Sequence, residues 1–143
     1  MAAAGSKPRV AVGQLNSTGD HAENLAQAEK LCEHAAAAGA NLLCLPEAFS
    51  FIGSSPQETI SQAEALDGPR LEQYRTLARR HGLWLSLGGF HEAGAPDNRV
   101  HNTHVVVDSA GAIRATYRKI HLFAVPMTGL MESRQALPGD LGL

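Results

Sequence analysis

The fold of this chain is decided by residues 41–49, which read NLLCLPEAF, together with residues 117–123, which read YRKIHLF. The first stretch is a short apolar run, typical of a buried strand, and it leads into a proline and Glu47. The second continues a strand-like run over residues 112–116 and places Lys119 near its end. A carboxylate and an ammonium at neighbouring strand ends form an acid/base pair. We therefore predict that Glu47 and Lys119 lie within salt-bridge reach of each other.

The rest of the chain alternates between strand and helix patterns. Apolar residues at helical spacing after Asp20 and after residues 67–69 predict two helices, each followed by a glycine suited to a helix C-terminus. This order favours an α/β sheet with helices on one face and no visible cover for the other. Residues 124–143 lack periodicity and are predicted to be loop. The predicted strands span residues 9–15, 41–45, 83–87, 103–108 and 112–118.

Composition and charge restrict the classes of function. The chain has 143 residues, of which 44% are apolar and 18% charged, as in one globular domain. A formal net charge of −2 gives no basic surface for nucleic acid. No apolar run is long enough to cross a membrane, and the first residues lack a signal-peptide pattern. Two cysteines do not make a disulfide framework, so we expect a cytoplasmic protein without nucleic-acid or membrane partners.

Taken singly, the chemically active residues have ordinary structural explanations. Glu47 fits an exposed loop charge or a carboxylate at a helix N-terminus, and Lys119 fits a solvent-facing residue at a strand end. Cys44 alternates with leucines in a strand, and Cys32 lies on the apolar face of a helix. Both cysteines are therefore predicted to be small core residues rather than nucleophiles.

Two further patterns are too incomplete to indicate a metal or a cofactor. His101 and His104 are three residues apart, but no acidic or cysteine partner completes a zinc-binding set. Gly88 and Gly89 follow a strand, but the remaining glycine of a dinucleotide-binding loop is missing. We therefore predict no metal site and no cofactor.

Together, the order and separation of these motifs resemble the N-terminal half of the nitrilase superfamily, the carbon–nitrogen hydrolases. The resemblance runs from about residue 9 to residue 123 and on to about residue 140. Residues 82–92, GLWLSLGGFHE, are the strongest pointer, and they resemble the nitrilase-homologue branch that contains deaminated glutathione amidase. Residues 117–123 also resemble ω-amidase, so that segment alone does not separate the two.

The resemblance implies a catalytic glutamate, lysine and cysteine that hydrolyse a small-molecule amide. Glu47 matches the glutamate that acts as general base, and Lys119 matches the lysine that stabilises the oxyanion. Glu132 matches a segment that supplies a further carboxylate near the site. The family cysteine lies in a strand end downstream of these residues, and we expect that this chain stops before it. The nucleophile is therefore predicted to be absent from the chain.

The resemblance also implies the architecture. The family fold is a four-layer α-β-β-α sandwich, usually in homo-oligomers, and the chain is expected to supply its N-terminal portion. We expect residues 1–8 to be a flexible N-terminus and residues 9–143 to be the hydrolase domain, truncated before the nucleophile. A cytoplasmic location is expected, although the family also includes mitochondrial forms.

Several alternatives remain open at the level of sequence. The chain is expected to be a truncated amidase of this branch that is inactive alone, and an ω-amidase-like hydrolase is the nearest alternative. A second alternative is a non-catalytic short isoform that pairs with the full-length enzyme. A third is an incomplete gene model. A flavodoxin-like binding domain is disfavoured because no phosphate-binding loop follows the first strand.

Overall fold

The computed structural model describes residues 7–140 of the chain and contains a five-stranded sheet in sequence order. The first three strands are parallel, and the last three pair antiparallel. Two very short strands form a separate hairpin. The strands are β1 (Val10–Val12), β2 (Leu42–Leu45), β3 (Trp84–Glu92), β4 (His101–Val107), β5 (Ile113–Arg118), β6 (Ala124–Val125) and β7 (Leu130–Met131). The α-helices are α1 (His21–Ala37), α2 (Pro56–Ser61) and α3 (Pro69–His81).

Local chemistry sets the ends of the two long helices. The side chain of Asp20 accepts hydrogen bonds from the backbone N–H groups of Ala22 and Glu23, which caps α1 where the sequence predicts. Pro69 occupies the first turn of α3, where its missing N–H costs nothing. Gly82 ends α3 in the left-handed conformation, at φ 63°, which glycine adopts without a steric penalty.

Both long helices pack on one face of the sheet. The core joins the helix residues Ala28, Cys32, Leu71 and Tyr74 to alternate residues of the strands. Those strand residues are all buried, and they are Leu43, Leu45, Leu85, Leu87, Val105 and Val107. The prediction that helices cover one face of an α/β sheet is therefore confirmed.

The other face of the sheet is open in the part of the chain that the structure describes. Val10 pairs with Leu42, which pairs with Trp84, so these side chains share that face. Val12 is 84% exposed, and Trp84 and Tyr117 are also exposed. The alternation along each strand thus separates a buried face from an apolar face in contact with solvent. Among residues 7–140, no helix is long and apolar enough to cross a bilayer.

Some predicted boundaries are wrong. The predicted first strand reaches residue 15, but β1 ends at Val12. The third strand does not end before the two glycines: β3 continues to Glu92, with a shift in register between Leu87 and Phe90. The segment after Phe123 is not all loop, because β6 and β7 pair as a hairpin and Ala136 is buried beside Val100. Residues 1–6 of the predicted flexible N-terminus and residues 141–143 lie outside the described part of the chain.

The glycines within β3 let the turn after β2 approach closely. A Cβ atom on Gly88 would lie 2.6 Å from the carbonyl oxygen of Leu45 and 2.7 Å from the carbonyl carbon of Pro46. Both contacts are with backbone, so a side chain at this position would force the turn away from the sheet. Gly88 is thus required by the turn that presents Glu47.

We expect the substitution Gly88→Ala to lower the free energy of unfolding by about 1–3 kcal/mol, as overpacking in a closely packed region does. The measurement is urea denaturation of the 143-residue chain followed by circular dichroism. Gly19→Ala is the matched control, because its Cβ would meet its nearest atom, the carbonyl oxygen of Ile52, at an ordinary 3.7 Å. Equal midpoints for Gly88→Ala and the unsubstituted chain would contradict this account.

Candidate active site

The side chain of Lys119 lies between two carboxylates. Its Nζ atom is 2.9 Å from Oε1 of Glu47 and 2.9 Å from Oε2 of Glu132. Glu47 and Lys119 are 72 positions apart along the chain, so the contact depends on the tertiary fold. The structure thus brings together all three residues that the sequence singled out, while their catalytic roles stay predictions.

A tight turn after β2 presents Glu47. Ala48 adopts a left-handed conformation with φ 56°, which is uncommon for a residue other than glycine. Its N–H donates to the carbonyl oxygen of Gly89 at 3.1 Å, and the next residue, Phe49, is fully buried against Tyr74. The strained backbone is therefore held on both sides, and Glu47 projects from it with a side chain that is 55% exposed.

The end of β5 positions Lys119. Its backbone N–H donates to the carbonyl oxygen of Asn102 in β4 at 2.8 Å. The preceding residue, Arg118, makes two hydrogen bonds to the buried carboxylate of Glu92, of 2.8 and 2.6 Å. The hydroxyl of Thr103 donates to the same carboxylate at 2.6 Å. This ion pair fixes the strand end from which Lys119 projects.

A short 3-10 turn, Glu132–Arg134, positions Glu132 after the β6–β7 hairpin. The backbone N–H of Phe123 donates to Oε2 of Glu132 at 2.7 Å, and the N–H of Glu132 donates to the carbonyl oxygen of Phe123 at 2.9 Å. One carboxylate therefore ties the start of the hairpin to Lys119. The side chain of Glu132 is only 10% exposed.

The surroundings stabilise the charged forms of Lys119 and Glu132. For Lys119, burial acts to lower the pKa, but hydrogen bonds and charge interactions with Glu47 and Glu132 outweigh it and raise the pKa. For Glu132, burial acts to raise the pKa, but hydrogen bonds from Asn102, Phe123 and Lys119 outweigh it and lower the pKa. Glu132 and Lys119 are therefore both charged at neutral pH and form an ion pair.

The three charged residues line an open pocket with a volume of about 560 Å³, the size of a small-molecule site. His91 from β3 and Phe123 lie in its wall. Burial lowers the pKa of His91, although Glu132 and Glu47 act in the opposite direction. His91 therefore adds a neutral ring to the pocket at pH 7 rather than a further cation beside Lys119 and Arg134, which also lines it.

Sequence reasoning missed Asn102, which contacts both carboxylates. Its Nδ2 atom is 2.5 Å from Oε1 of Glu47 and 2.9 Å from Oε1 of Glu132. The predicted strand begins one residue later, at Thr103, so no sequence pattern predicts a buried amide at position 102. Its burial, which requires hydrogen-bond partners, is seen only in the structure.

The two cysteines lie in the elements predicted for them. Cys32 is fully buried in α1, and burial, followed by the charges of Glu29 and Glu33, raises its pKa to about 12. Cys44 is half-buried in β2 and alternates with core leucines. Within residues 7–140, no group of three or more histidine, cysteine, aspartate or glutamate side chains is arranged to hold a metal ion.

Residues 9–140 match the carbon–nitrogen hydrolase family, and the chain therefore belongs to it. It is 47% identical over 138 residues to deaminated glutathione amidase of Homo sapiens. A relative of the same name from Dictyostelium discoideum is 42% identical over 123 residues. These alignments cover 92% and 82% of this chain, but the chain spans only 42% of the length of each relative.

Solved structures agree with this membership. The Caenorhabditis elegans NitFhit protein superposes with a TM-score of 0.83 at 41% identity, covering 92% of this chain and 33% of that one. An amidase from Nesterenkonia sp. AN1, with acrylamide added to its active-site cysteine, gives a TM-score of 0.78 at 25% identity. That match covers 94% of this chain and 50% of the amidase. The prediction of a nitrilase-superfamily α/β fold, part of an α-β-β-α sandwich, is confirmed.

We expect Glu132→Gln to lower the free energy of unfolding at pH 7 by about 1–3 kcal/mol, because it removes a charged acceptor of three hydrogen bonds. Since folding lowers the pKa of Glu132 from 4.5, its stabilisation is complete above that pH and is lost as the pH falls through the folded-state pKa. The difference between the two proteins should therefore shrink on acidification. Urea denaturation between pH 3 and 7 measures it.

Glu33→Gln is the matched control, because Glu33 is an exposed residue of α1. Its stability should follow that of the unsubstituted chain at every pH. A constant difference between Glu132→Gln and the unsubstituted chain over the whole range would contradict the assignment of a lowered pKa to Glu132.

Proposed function

We propose that Glu47, Lys119 and Glu132 are the acid/base portion of an amidase active site that acts on linear amide C–N bonds. The observation that carries the proposal is the placement of one ammonium between two carboxylates in the wall of an open pocket. Membership of the carbon–nitrogen hydrolase family supports the reaction class. The names of the relatives support a deaminated-glutathione-type amide as the substrate.

Hydrogen-bond occupancy divides the two carboxylates into different roles. Both oxygens of Glu132 accept hydrogen bonds: Oε1 from Asn102, and Oε2 from the Phe123 N–H and from Lys119. The contacts to Glu47 within the described residues converge on Oε1, which leaves Oε2 able to accept a proton. Glu47 is therefore assigned as the general base, and Glu132 as the anion that holds Lys119.

The reaction then follows from these positions. Glu47 takes the proton of a cysteine thiol, and the sulfur attacks the amide carbonyl carbon as the carbonyl electron pair moves to oxygen. Lys119 donates a hydrogen bond to that oxyanion. The intermediate collapses to a thioester and expels the amine, which takes the proton from Glu47. Water, deprotonated by Glu47, then attacks the thioester, releasing the carboxylic acid and restoring the thiol.

The thiol in this scheme is neither of the two cysteines in the sequence. Cys32 is fully buried with a raised pKa, so its thiolate is disfavoured. Cys44 lies in β2, before the turn that carries Glu47. Its neighbours Leu43 and Leu45 are core residues, so the side chain of Cys44 points to the open face of the sheet. We therefore propose that residues 1–143 alone do not hydrolyse amides and that residues 9–143 are the part of the domain that precedes the nucleophile.

The wider setting is proposed on the same basis. Two cysteines without a disulfide support a reducing compartment, the cytoplasm. The exposed apolar face of the sheet supports further protein surface packing against it. A homo-oligomer of such domains that acts on a small-molecule amide is the assembly that these features support.

The test joins residues 1–140 of this chain to the aligned remainder of the human deaminated glutathione amidase. We expect release of amine from a deaminated-glutathione-type amide by the fusion and none by the 143-residue chain. Glu47→Gln and Lys119→Met in the fusion should each lower kcat about 100-fold or more, because they remove the base and an oxyanion donor.

Glu33→Gln and Lys30→Met are matched controls, because both residues are exposed on α1. A fusion that keeps full activity with Glu47→Gln would refute the proposal. If the 143-residue chain hydrolyses the amide and Glu47→Gln abolishes that activity, the assignment of the nucleophile to another segment is refuted. A preference for simple ω-amides would favour the ω-amidase alternative. A folded but inactive fusion would favour a non-catalytic role.

A further inference from the structure

We propose that Asn102 is the positioning residue for the two glutamates of the site, and that its side-chain amide gives one hydrogen to each carboxylate. This inference rests on the proposed function, because it concerns how the general base is oriented. It adds a fourth member to the site, on β4, in a strand that contributes none of the other three.

The geometry uses the full donor capacity of the amide. Nδ2 is 2.5 Å from Oε1 of Glu47 and 2.9 Å from Oε1 of Glu132. A side-chain amide nitrogen carries two hydrogens, so each carboxylate can receive one of them. A serine or threonine hydroxyl has a single hydrogen and serves only one carboxylate. An amide side chain can therefore join both carboxylates where a hydroxyl side chain cannot.

The surroundings hold Asn102 in place. The residue is only 8% exposed, and its backbone carbonyl oxygen accepts a hydrogen bond from the backbone N–H of Lys119 at 2.8 Å. A Cβ on Gly89 would lie 2.6 Å from Oδ1 of Asn102 and 3.0 Å from Cγ of Glu47. Glycine at position 89 therefore leaves room for the side chains of Asn102 and Glu47 to meet. Asn102 touches Glu47, Glu132 and Lys119 at once.

Neutrality is what the position requires. Five titratable groups line this pocket: Glu47 after β2, His91 on β3, Lys119 after β5, and Glu132 and Arg134 in the 3-10 turn. A further cation in place of the amide would hold the base in its charged form too strongly for proton uptake. A third carboxylate would add repulsion between like charges. An amide orients both carboxylates and adds no charge.

The first measurement uses the unsubstituted 143-residue chain. Nuclear magnetic resonance follows the Asn102 side-chain amide and the carboxyl carbons of Glu47 and Glu132 between pH 2.5 and 8. We expect the two amide protons to shift with the two carboxyl transitions, one with each. The proposal would be overturned if the chemical shifts of the amide protons stayed constant while the two carboxyl groups titrate.

The second measurement compares variants. Asn102→Asp keeps the shape but replaces the donor with a like charge, so it should raise the titration midpoint of Glu132 by about 1 pH unit or more. Asn102→Ser, with one donor, should leave one of the two carboxylates without its hydrogen bond. Thr103→Val is the matched control: it removes a hydrogen bond to Glu92, and it should raise the Glu92 midpoint while leaving that of Glu132 unchanged.

An unchanged Glu132 midpoint in folded Asn102→Asp would overturn the proposal, because it would show no coupling between the two side chains. The same Glu132 shift in Thr103→Val would also overturn it, because it would indicate a general effect of packing. If the variants do not fold, the titration of the unsubstituted chain decides. None of these readouts requires hydrolysis. An inactive fusion would thus refute the proposed function while the titrations still report on Asn102.

Discussion

The sharing of one ammonium by two carboxylates is the constraint on which this structure depends. Lys119 contacts Glu47 and Glu132, and each of the three arrives from a different segment: the turn after β2, the end of β5 and the turn after the small hairpin. Two carboxylates this close repel each other, so the cation is what allows them to approach. The contact therefore ties three distant parts of the chain to one edge of the sheet.

Strand β3 supports that contact on both sides of the sheet. Gly88 and Gly89 leave space for the turn that carries Glu47. Glu92, the residue directly after His91, points to the other side of the sheet and binds Arg118 with two hydrogen bonds. Adjacent residues of a strand point to opposite faces, so Arg118 is anchored on one face while Lys119 reaches the pocket on the other. Buried charge pairing thus orients the functional charge beside it.

Local patterns predicted the elements better than their ends. Helical periodicity and the Asp20 cap were sufficient for α1, because these interactions lie within a few residues. The extension of β3 to Glu92 depends on its pairing with β4, which the pattern within β3 does not show. The hairpin after Phe123 is local, but each of its strands has only two residues, too few to give an alternation. The approach of Glu47 to Lys119 follows from strand ends meeting at one edge. Asn102, which bridges between carboxylates contributed by other segments, has no local signature.

The number of hydrogens on the Lys119 ammonium bears on how the proposed site works. An ammonium has three hydrogens, and Glu47 and Glu132 use two of those of Lys119. In the proposed mechanism the third remains for the developing oxyanion. Glu132 has both oxygens occupied, so the proposal assigns proton uptake to Glu47, whose side chain is the more exposed of the two. In that proposal, a proton on Glu47 weakens its contact with Lys119, and the ammonium then interacts more strongly with the new negative charge on the substrate. The proposed mechanism thus couples proton transfer and oxyanion stabilisation through one nitrogen atom.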